Sequence, residues 1–375
     1  MYLKRLSLTN FKNIAETQLE FSEKINCLLG NNGMGKSNLL DAVYFLSFCK
    51  SFSGMTDAQL IRRGEDFAIA KANYIRRETP EELQLGLAKN RRKTLKRGGK
   101  EYQRLSQHIG TFPLVMAAPQ DIDLIRGSGE ERRRWADMVI SQGDARYLDS
   151  LIRYNAALEQ RNRLLRAGIV DHTLYEAIEA VMDIAARYIY QQRSQWVSKL
   201  QDIFARYYSA IAADGEIVSL AYRGCLDNAQ DGSLAGLLDQ TRRHDEIVKY
   251  TSVGPHRDDI EFSIEGMPLR RSGSQGQCKT FTIALRLAQY EFLREATGLR
   301  PILLLDDIFD KLDADRVGRI MELVTDPAFG QIFVTDTNRQ HLDDIIGRLQ
   351  ADDYRLWSVQ SGVFTPITAT SAEAE

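Results

Sequence analysis

The stretch "LLGNNGMGKSN", residues 28–38, decides the fold. Gly30, Gly33, Gly35, Lys36 and Ser37 fit G-x-x-x-x-G-K-[ST], a phosphate-binding loop. The flanks agree with it. "KINCLLG" before the loop is an apolar run suited to a buried strand. "SNLLDAVYFLSF" after it places Leu39, Leu40, Val43, Tyr44 and Leu46 at helical spacing. Glycine lets backbone N–H groups converge on phosphate oxygens where a Cβ would block them. Lys36 is expected to reach the β- and γ-phosphates, Ser37 to hold Mg²⁺ through its hydroxyl, and the helix N-terminus to add positive potential. Asn31, Asn32, Met34 and Asn38 complete the set of expected ATP contacts along the loop.

Such a loop needs acids at the end of a second strand, and "PILLLDDIFDKLD", residues 301–313, supplies them. Ile302 to Leu305 read as a buried strand ending on Asp306, the expected Mg²⁺ ligand. Asp307 follows as the group that orients or deprotonates the attacking water. Lys36 and Asp306 lie 270 positions apart, so a large insertion separates the two halves of the site.

The insertion carries "RRSGSQGQCKTFTIALRLAQYEFL". Its Ser274-Gln275-Gly276-Gln277 resembles the LSGGQ element of ABC-type ATPases, with Gly273 in place of the leucine. In that superfamily the element faces ATP held by a second subunit. The resemblance therefore implies that Ser274, Gly276 and Gln277 act in trans and that two chains close on ATP. Read without the resemblance, S-x-G-Q is also a plain N-capped helix. The N-terminal "LKRLSLTNFKNIAETQLEF" and the loop itself resemble the heads of the SMC and RecF group. "APQDIDLIRGSGEERRRWAD" (118–137) and "VGPHRDDIEFSI" (253–264) resemble elements of the RecF family, so the likeness runs from residue 3 to about 340. It implies DNA repair and replication, including support of the SOS response. It implies ATP and Mg²⁺ as cofactors, single- and double-stranded or gapped DNA and an ATP-dependent homodimer as partners, and RecR and RecO as helpers in loading RecA. It also adds Lys12 to the ATP contacts.

Four features depart from the family pattern. Gln120 stands in place of an acid and is expected to serve catalysis and Mg²⁺. Gly129 replaces a proline. "FDKLD" leaves Asp310 and Asp313 where a serine-containing turn is usual. "FVTDTN" offers Thr335, Asp336 and Thr337 but no imidazole where many ABC ATPases carry a switch histidine, which implies slow hydrolysis.

Composition narrows the alternatives. Forty-nine basic and 51 acidic residues give a net charge of −2, so no global field advertises nucleic acid. No apolar run reaches membrane-spanning length and the N-terminus lacks the shape of a leader, so a cytoplasmic protein is expected. The cysteines at 27, 49, 225 and 278 form no C-x-x-C pair. DNA contact is expected at "KNRRKTLKRGGK" (89–100), read as a hairpin tip bearing Arg91, Arg92, Lys93, Lys96 and Arg97. Arg132, Arg133 and Arg134 divide evenly between DNA contact and local ion pairs. The fold class expected is α/β: an ABC-type P-loop NTPase head with a mixed sheet, plus a mostly helical second lobe. The expected boundaries are 1–125 for the N-terminal half of the head, 126–215 for the helical lobe, 216–365 for the C-terminal half, and 366–375 for a disordered tail. The competing reading is the nucleotide-binding subunit of an ABC transporter, which would lack the elements at 119–137 and 253–259.

Overall fold

The structure is a computed structural model and describes residues 1–213, 215–229, 232–309, 312–337 and 353–367. The chain divides into two compact units, one of Met1–Gln120 with Leu293–Glu375, the other of Asp121–Phe292.

The first unit holds two six-stranded sheets. One is antiparallel and comprises β1 (Tyr2–Phe11), β2 (Ile14–Glu20), β4 (Phe67–Arg76), β5 (Thr79–Ala88), β6 (Thr94–Arg97) and β7 (Lys100–Glu101), in the order β2-β1-β4-β5-β6-β7. In β1 the period-2 pattern buries Leu6 and Leu8 on one face. The other sheet comprises β3 (Ile25–Leu29), β8 (Leu114–Ala117), β12 (Ile302–Asp306), β13 (Ile332–Asp336), β14 (Tyr354–Gln360) and β15 (Val363–Pro366). Its order is β15-β14-β3-β13-β12-β8, parallel except for β15. Buried on both faces, β8, β12 and β13 read as continuous apolar runs rather than alternating ones.

Helix α1 (Lys36–Phe48) touches strands of both sheets. Eleven of its 13 residues are buried, so the one-sided face expected from its spacing becomes burial all round, as its nearly unbroken apolar sequence requires. The unit also holds α2 (Asp57–Leu60) and α10 (Ala314–Val324).

The second unit is built on α3 (Asp123–Arg126), α4 (Gly129–Gly143), α5 (Ala145–Ala167), α6 (His172–Ala212), α7 (Leu234–Val248) and α8 (Leu269–Ser272). It also contains a three-stranded sheet of β9 (Val218–Arg223), β10 (Asp259–Ile264) and β11 (Met267–Pro268). Helix α9 (Gln275–Thr297) begins in this unit and ends in the first. The 41 residues of α6 extend about 60 Å at 1.5 Å per residue, short of an SMC arm.

These units differ from the expected division at 216. Residues 216–292 group with the helices because β9 packs on α6, β10 packs on α4, and the Phe281 ring of α9 packs at a tilt against Phe204 of α6. Hydrophobic period identifies strands but not the sheet they join. The tail expected to be disordered lies, from residue 368, outside the described residues, as does Asp310.

Candidate nucleotide site

The glycine-rich loop leaves β3 and delivers Lys36 to the start of α1. Gly33 and Gly35 take φ of 81° and 115°, a backbone that other residues adopt at a cost. Gly35 is also confined sterically, since a Cβ there would press on the Asn13 side chain. Two hairpin turns brace the loop. From the β1–β2 turn, Asn13 accepts a 2.8 Å hydrogen bond from Asn38 Nδ2 and donates to the Met34 carbonyl at 3.4 Å. From the β14–β15 turn, Gly362 N–H donates to the same carbonyl at 2.7 Å. Gly30 lies flush against the Val359 carbonyl. The Lys36 ammonium donates to the carbonyls of Gly30 and, at 3.1 Å, of Asn31. Burial pulls it below the ordinary lysine range, against the pull of Asp307, Asp306 and Asp336.

The second half arrives on β12. Strand β13 lies between β3 and β12, so about two strand spacings of 4.8 Å separate the loop strand from the acid-bearing strand. Ser37 Oγ donates to Asp306 Oδ1 at 2.9 Å. The pair joins the two motifs across 269 residues of sequence. Thr335 Oγ1 donates to the same Oδ1 at 2.7 Å and accepts from Asp307 N–H at 3.0 Å. Burial pushes the Asp306 carboxyl above the usual range, and the two hydroxyl donors act against that shift. Asp307 is half-buried with φ of 48°, a left-handed conformation that Asp and Asn tolerate better than most residues.

The residues present fit a magnesium nucleotide. A loop with two positive-φ glycines opens a helix, a lysine sits beside it, and a hydroxyl and a carboxylate converge 2.9 Å apart. Lys36 and the loop amides would hold the phosphates. Ser37 and Asp306 would hold the metal, which would neutralise developing charge on the phosphoryl oxygens.

The other expected residues lie as follows. Gln120 is exposed, three residues beyond the end of β8, whose Ala117 is in register with Leu305 of β12. That puts it along the strand ends that carry Asp306 and Asp307. Lys12 is buried in an ion pair with Asp41 at 2.5 Å and donates to Ser53 Oγ at 3.2 Å. Asp41 also accepts from Ser51 Oγ and Phe52 N–H, each at 2.6 Å, so Lys12 helps hold the segment after α1. Ser274 and Gln277 form a reciprocal cap on α9: Gln277 N–H donates to Ser274 Oγ at 3.2 Å and Ser274 N–H to Gln277 Oε1 at 2.8 Å. Gln277 Nε2 also donates to Glu216 at 2.6 Å. Asp313 caps α10 through Arg316 N–H at 2.8 Å.

The basic segment does form turns around β6, with Gly98 and Gly99 at positive φ, but its charges fall into two groups. Lys93 bonds Asp57 at 2.8 Å and the Cys49 carbonyl at 2.7 Å, and Arg97 bonds Glu81 at 2.6 Å. Arg91, Arg92 and Lys96 are exposed and make no ion pair among the described residues. All three arginines of α4 are engaged: Arg132 with both oxygens of Asp259 at 2.7 and 2.9 Å, Arg133 with the Asp258 carbonyl at 2.6 Å, and Arg134 with Glu130 at 2.5 Å.

The G-P-H-R-D-D stretch is a structural junction of the second unit. His256 Nδ1 meets Tyr154 Oη at 2.7 Å and Nε2 meets the Thr251 carbonyl at 3.0 Å. Burial holds the imidazole near a pKa of about 4, so it is neutral at pH 7. Asp258 accepts from Tyr222 and from Cys225 N–H, and lies 3.5 Å from Arg193.

Asn13, Thr335 and the Gly362 turn are the members of the site that sequence reasoning missed. Asn13 sits in the quoted "NFKN", but nothing in a single sequence joins it to a loop twenty residues on. Thr335 was visible only as a missing histidine.

Against this geometry, the RecF/RecN/SMC N terminal domain model matches residues 2–351. DNA replication and repair protein RecF of Parabacteroides distasonis is 47% identical over 367 residues, covering 98% of this chain and all of that protein. RecF of Bacteroides fragilis strain YCH46 is 47% identical over 364 residues, 96% of this chain and 97% of that one. Among solved structures, that of the recombination mediator protein RecF-ATP in the RecFOR pathway is 27% identical, with a TM-score of 0.88 over 98% of both chains. The Smc head domain derived from Pyrococcus furiosus, at 17% identity and a TM-score of 0.59 over 99% of this chain and 97% of that one, shows likeness of fold alone.

Proposed function

The chain belongs to the RecF family of DNA replication and repair proteins, and from that premise we propose that it is an ATP-dependent DNA-binding protein of recombinational repair. It binds ATP with Mg²⁺ in the loop of residues 30–38, with Ser37 and Asp306 on the metal and Asp307 on the attacking water. Gln120 assists at the neighbouring strand end. Two chains close on two nucleotides, each offering Ser274, Gly276 and Gln277 to the ATP of the other. Hydrolysis is slow and is stimulated by DNA, which contacts Arg91, Arg92 and Lys96 first. Lys93 and Arg97 take a lesser part because they already hold carboxylates. RecR and RecO are its partners in loading the recombinase at gaps and in supporting the SOS response, and it works in the cytoplasm. Among the described residues no helix is long and apolar enough to cross a membrane.

The observation that carries this reading is the meeting of Ser37 and Asp306 at 2.9 Å beside Lys36. Full-length similarity to DNA replication and repair proteins weighs against a transporter subunit. The experiment is ATP hydrolysis and sedimentation with and without gapped DNA. Faster turnover with DNA, and a shift from monomer to dimer with ATP, are expected. Turnover indifferent to DNA with no change in mass would refute the reading.

A further inference from the structure

We propose that Thr335 is a positioning residue of the hydrolytic site: its hydroxyl fixes the Asp306 carboxylate and the Asp307 peptide together, and the metal response of nucleotide binding depends on it.

Thr335 is fully buried on β13, between the strand that feeds the phosphate loop and the strand that carries the acids. It pairs with Asp306 on one side and Leu28 on the other, so its place is set by two ladders. Its Oγ1 makes both bonds a hydroxyl is suited to make. It donates to Asp306 Oδ1 at 2.7 Å and accepts from Asp307 N–H at 3.0 Å. The second bond answers a need, because the β12 ladder ends at Asp306 and the left-handed turn at Asp307 carries its N–H out of register. Asp306 Oδ1 thus receives two hydroxyls, from Ser37 and Thr335, while Oδ2 takes no hydrogen bond among the described residues. A carboxylate clamped through one oxygen presents the other in a fixed direction. Ser37 is itself an expected metal ligand, so Thr335 is the holder of Asp306 with no duty toward the metal. A hydrogen bond from behind onto a metal-binding carboxylate orients it and raises its affinity for the ion. Valine, the same shape without the hydroxyl, would leave Asp307 N–H unpaired and Asp306 held by Ser37 alone.

The inference rests on the ATP–Mg²⁺ reading above, and the test separates the two. ATP affinity of the full chain is measured in EDTA and in Mg²⁺ for wild type, Thr335→Val and Thr335→Ser, alongside kcat and KM. Thr335→Val is expected to match wild type in EDTA, to lose about tenfold of the Mg²⁺ enhancement, the equivalent of one charge-assisted hydrogen bond, and to lose kcat, with KM rising in step with the weakened affinity in Mg²⁺ because slow hydrolysis makes KM follow Kd. Thr335→Ser keeps the hydroxyl and is expected to keep the Mg²⁺ response, even where loss of the methyl lowers the melting temperature. If Thr335→Val does not fold, Thr335→Ala is compared with the same serine control. A hydroxyl-free variant with the wild-type Mg²⁺ enhancement, or a serine variant as impaired as valine, overturns the inference. Wild-type protein whose ATP binding ignores Mg²⁺ would instead overturn the reading on which it rests.

Discussion

The phosphate loop of the first unit and the ionic junction of the second are both dense in charged residues, yet they satisfy those charges differently. In the second unit the charges close on one another. Arg161 is fully buried, with Glu179 at 2.9 Å, Asp245 at 2.7 Å and Thr251 at 2.8 Å. Arg193 bonds Asp137 at 2.8 Å and the Pro255 carbonyl at 2.7 Å. In the first unit the charges are held but not consumed. Lys36 rests on two backbone carbonyls, and Asp306 keeps one oxygen without a hydrogen bond. A buried charge whose partners are all in the chain is architecture. A buried charge parked on weak neutral acceptors is available to a ligand. The same test divides the basic hairpin, where Lys93 and Arg97 are tied down and Arg91, Arg92 and Lys96 are not.

The largest expected effect breaks the closed side of the comparison. Arg161→Ala leaves Asp245 buried without its cation and Glu179 with Arg242 alone, which costs about 3–5 kcal/mol of stability. Denaturant unfolding followed by circular dichroism should show the loss, while ATP affinity measured below the transition stays unchanged. Parallel loss of ATP affinity in folded protein would show that the junction serves the nucleotide. Lys36→Ala is the converse. It removes a charge held for the ligand, so ATP affinity falls by about 10- to 100-fold, equivalent to about 1.5–3 kcal/mol, with little change in stability. Asp307→Asn sharpens this further. Asparagine tolerates the left-handed backbone as well as aspartate does, so ATP should stay bound while turnover stalls. A wild-type rate would remove Asp307 from the mechanism. The smallest effect is on the hairpin. Lys93→Ala should cost at most about 1 kcal/mol through its part-exposed pair with Asp57. It should change DNA affinity less than Arg92→Ala does, a difference readable by fluorescence anisotropy.

What the sequence made legible follows from these contacts. The loop, its helix and the strand ending at Asp306 could be read because each is a local pattern: glycines at fixed spacing, then an apolar run, then two acids. The bracing was not legible, because Asn13 and Gly362 reach Met34 from turns 21 residues before it and more than 300 after it. The basic run misled in part. Its charge density is visible, but the partner of Arg97 is Glu81, 16 residues back along the neighbouring strand. Arg132 finds its partner Asp259 127 positions further along the chain. Ser274 illustrates the opposite difficulty. Its hydroxyl caps its own helix, so the proposed role toward a second chain falls on a residue with a local role, and local geometry shows the local one alone.

Under the proposed function, nucleotide held by the open charges of the loop gates DNA binding. The most direct measurement is DNA affinity against salt concentration with ATP, with ADP and without nucleotide. With ATP, affinity should be highest and the slope of log K on log salt steepest, since the proposed closure of two chains would double the phosphate contacts at about −0.9 per contact on duplex DNA. Changing Arg91, Arg92 and Lys96 together to Ala should flatten that slope and leave ATP binding intact. Equal affinities and slopes in all three nucleotide states would show that nucleotide does not gate DNA binding.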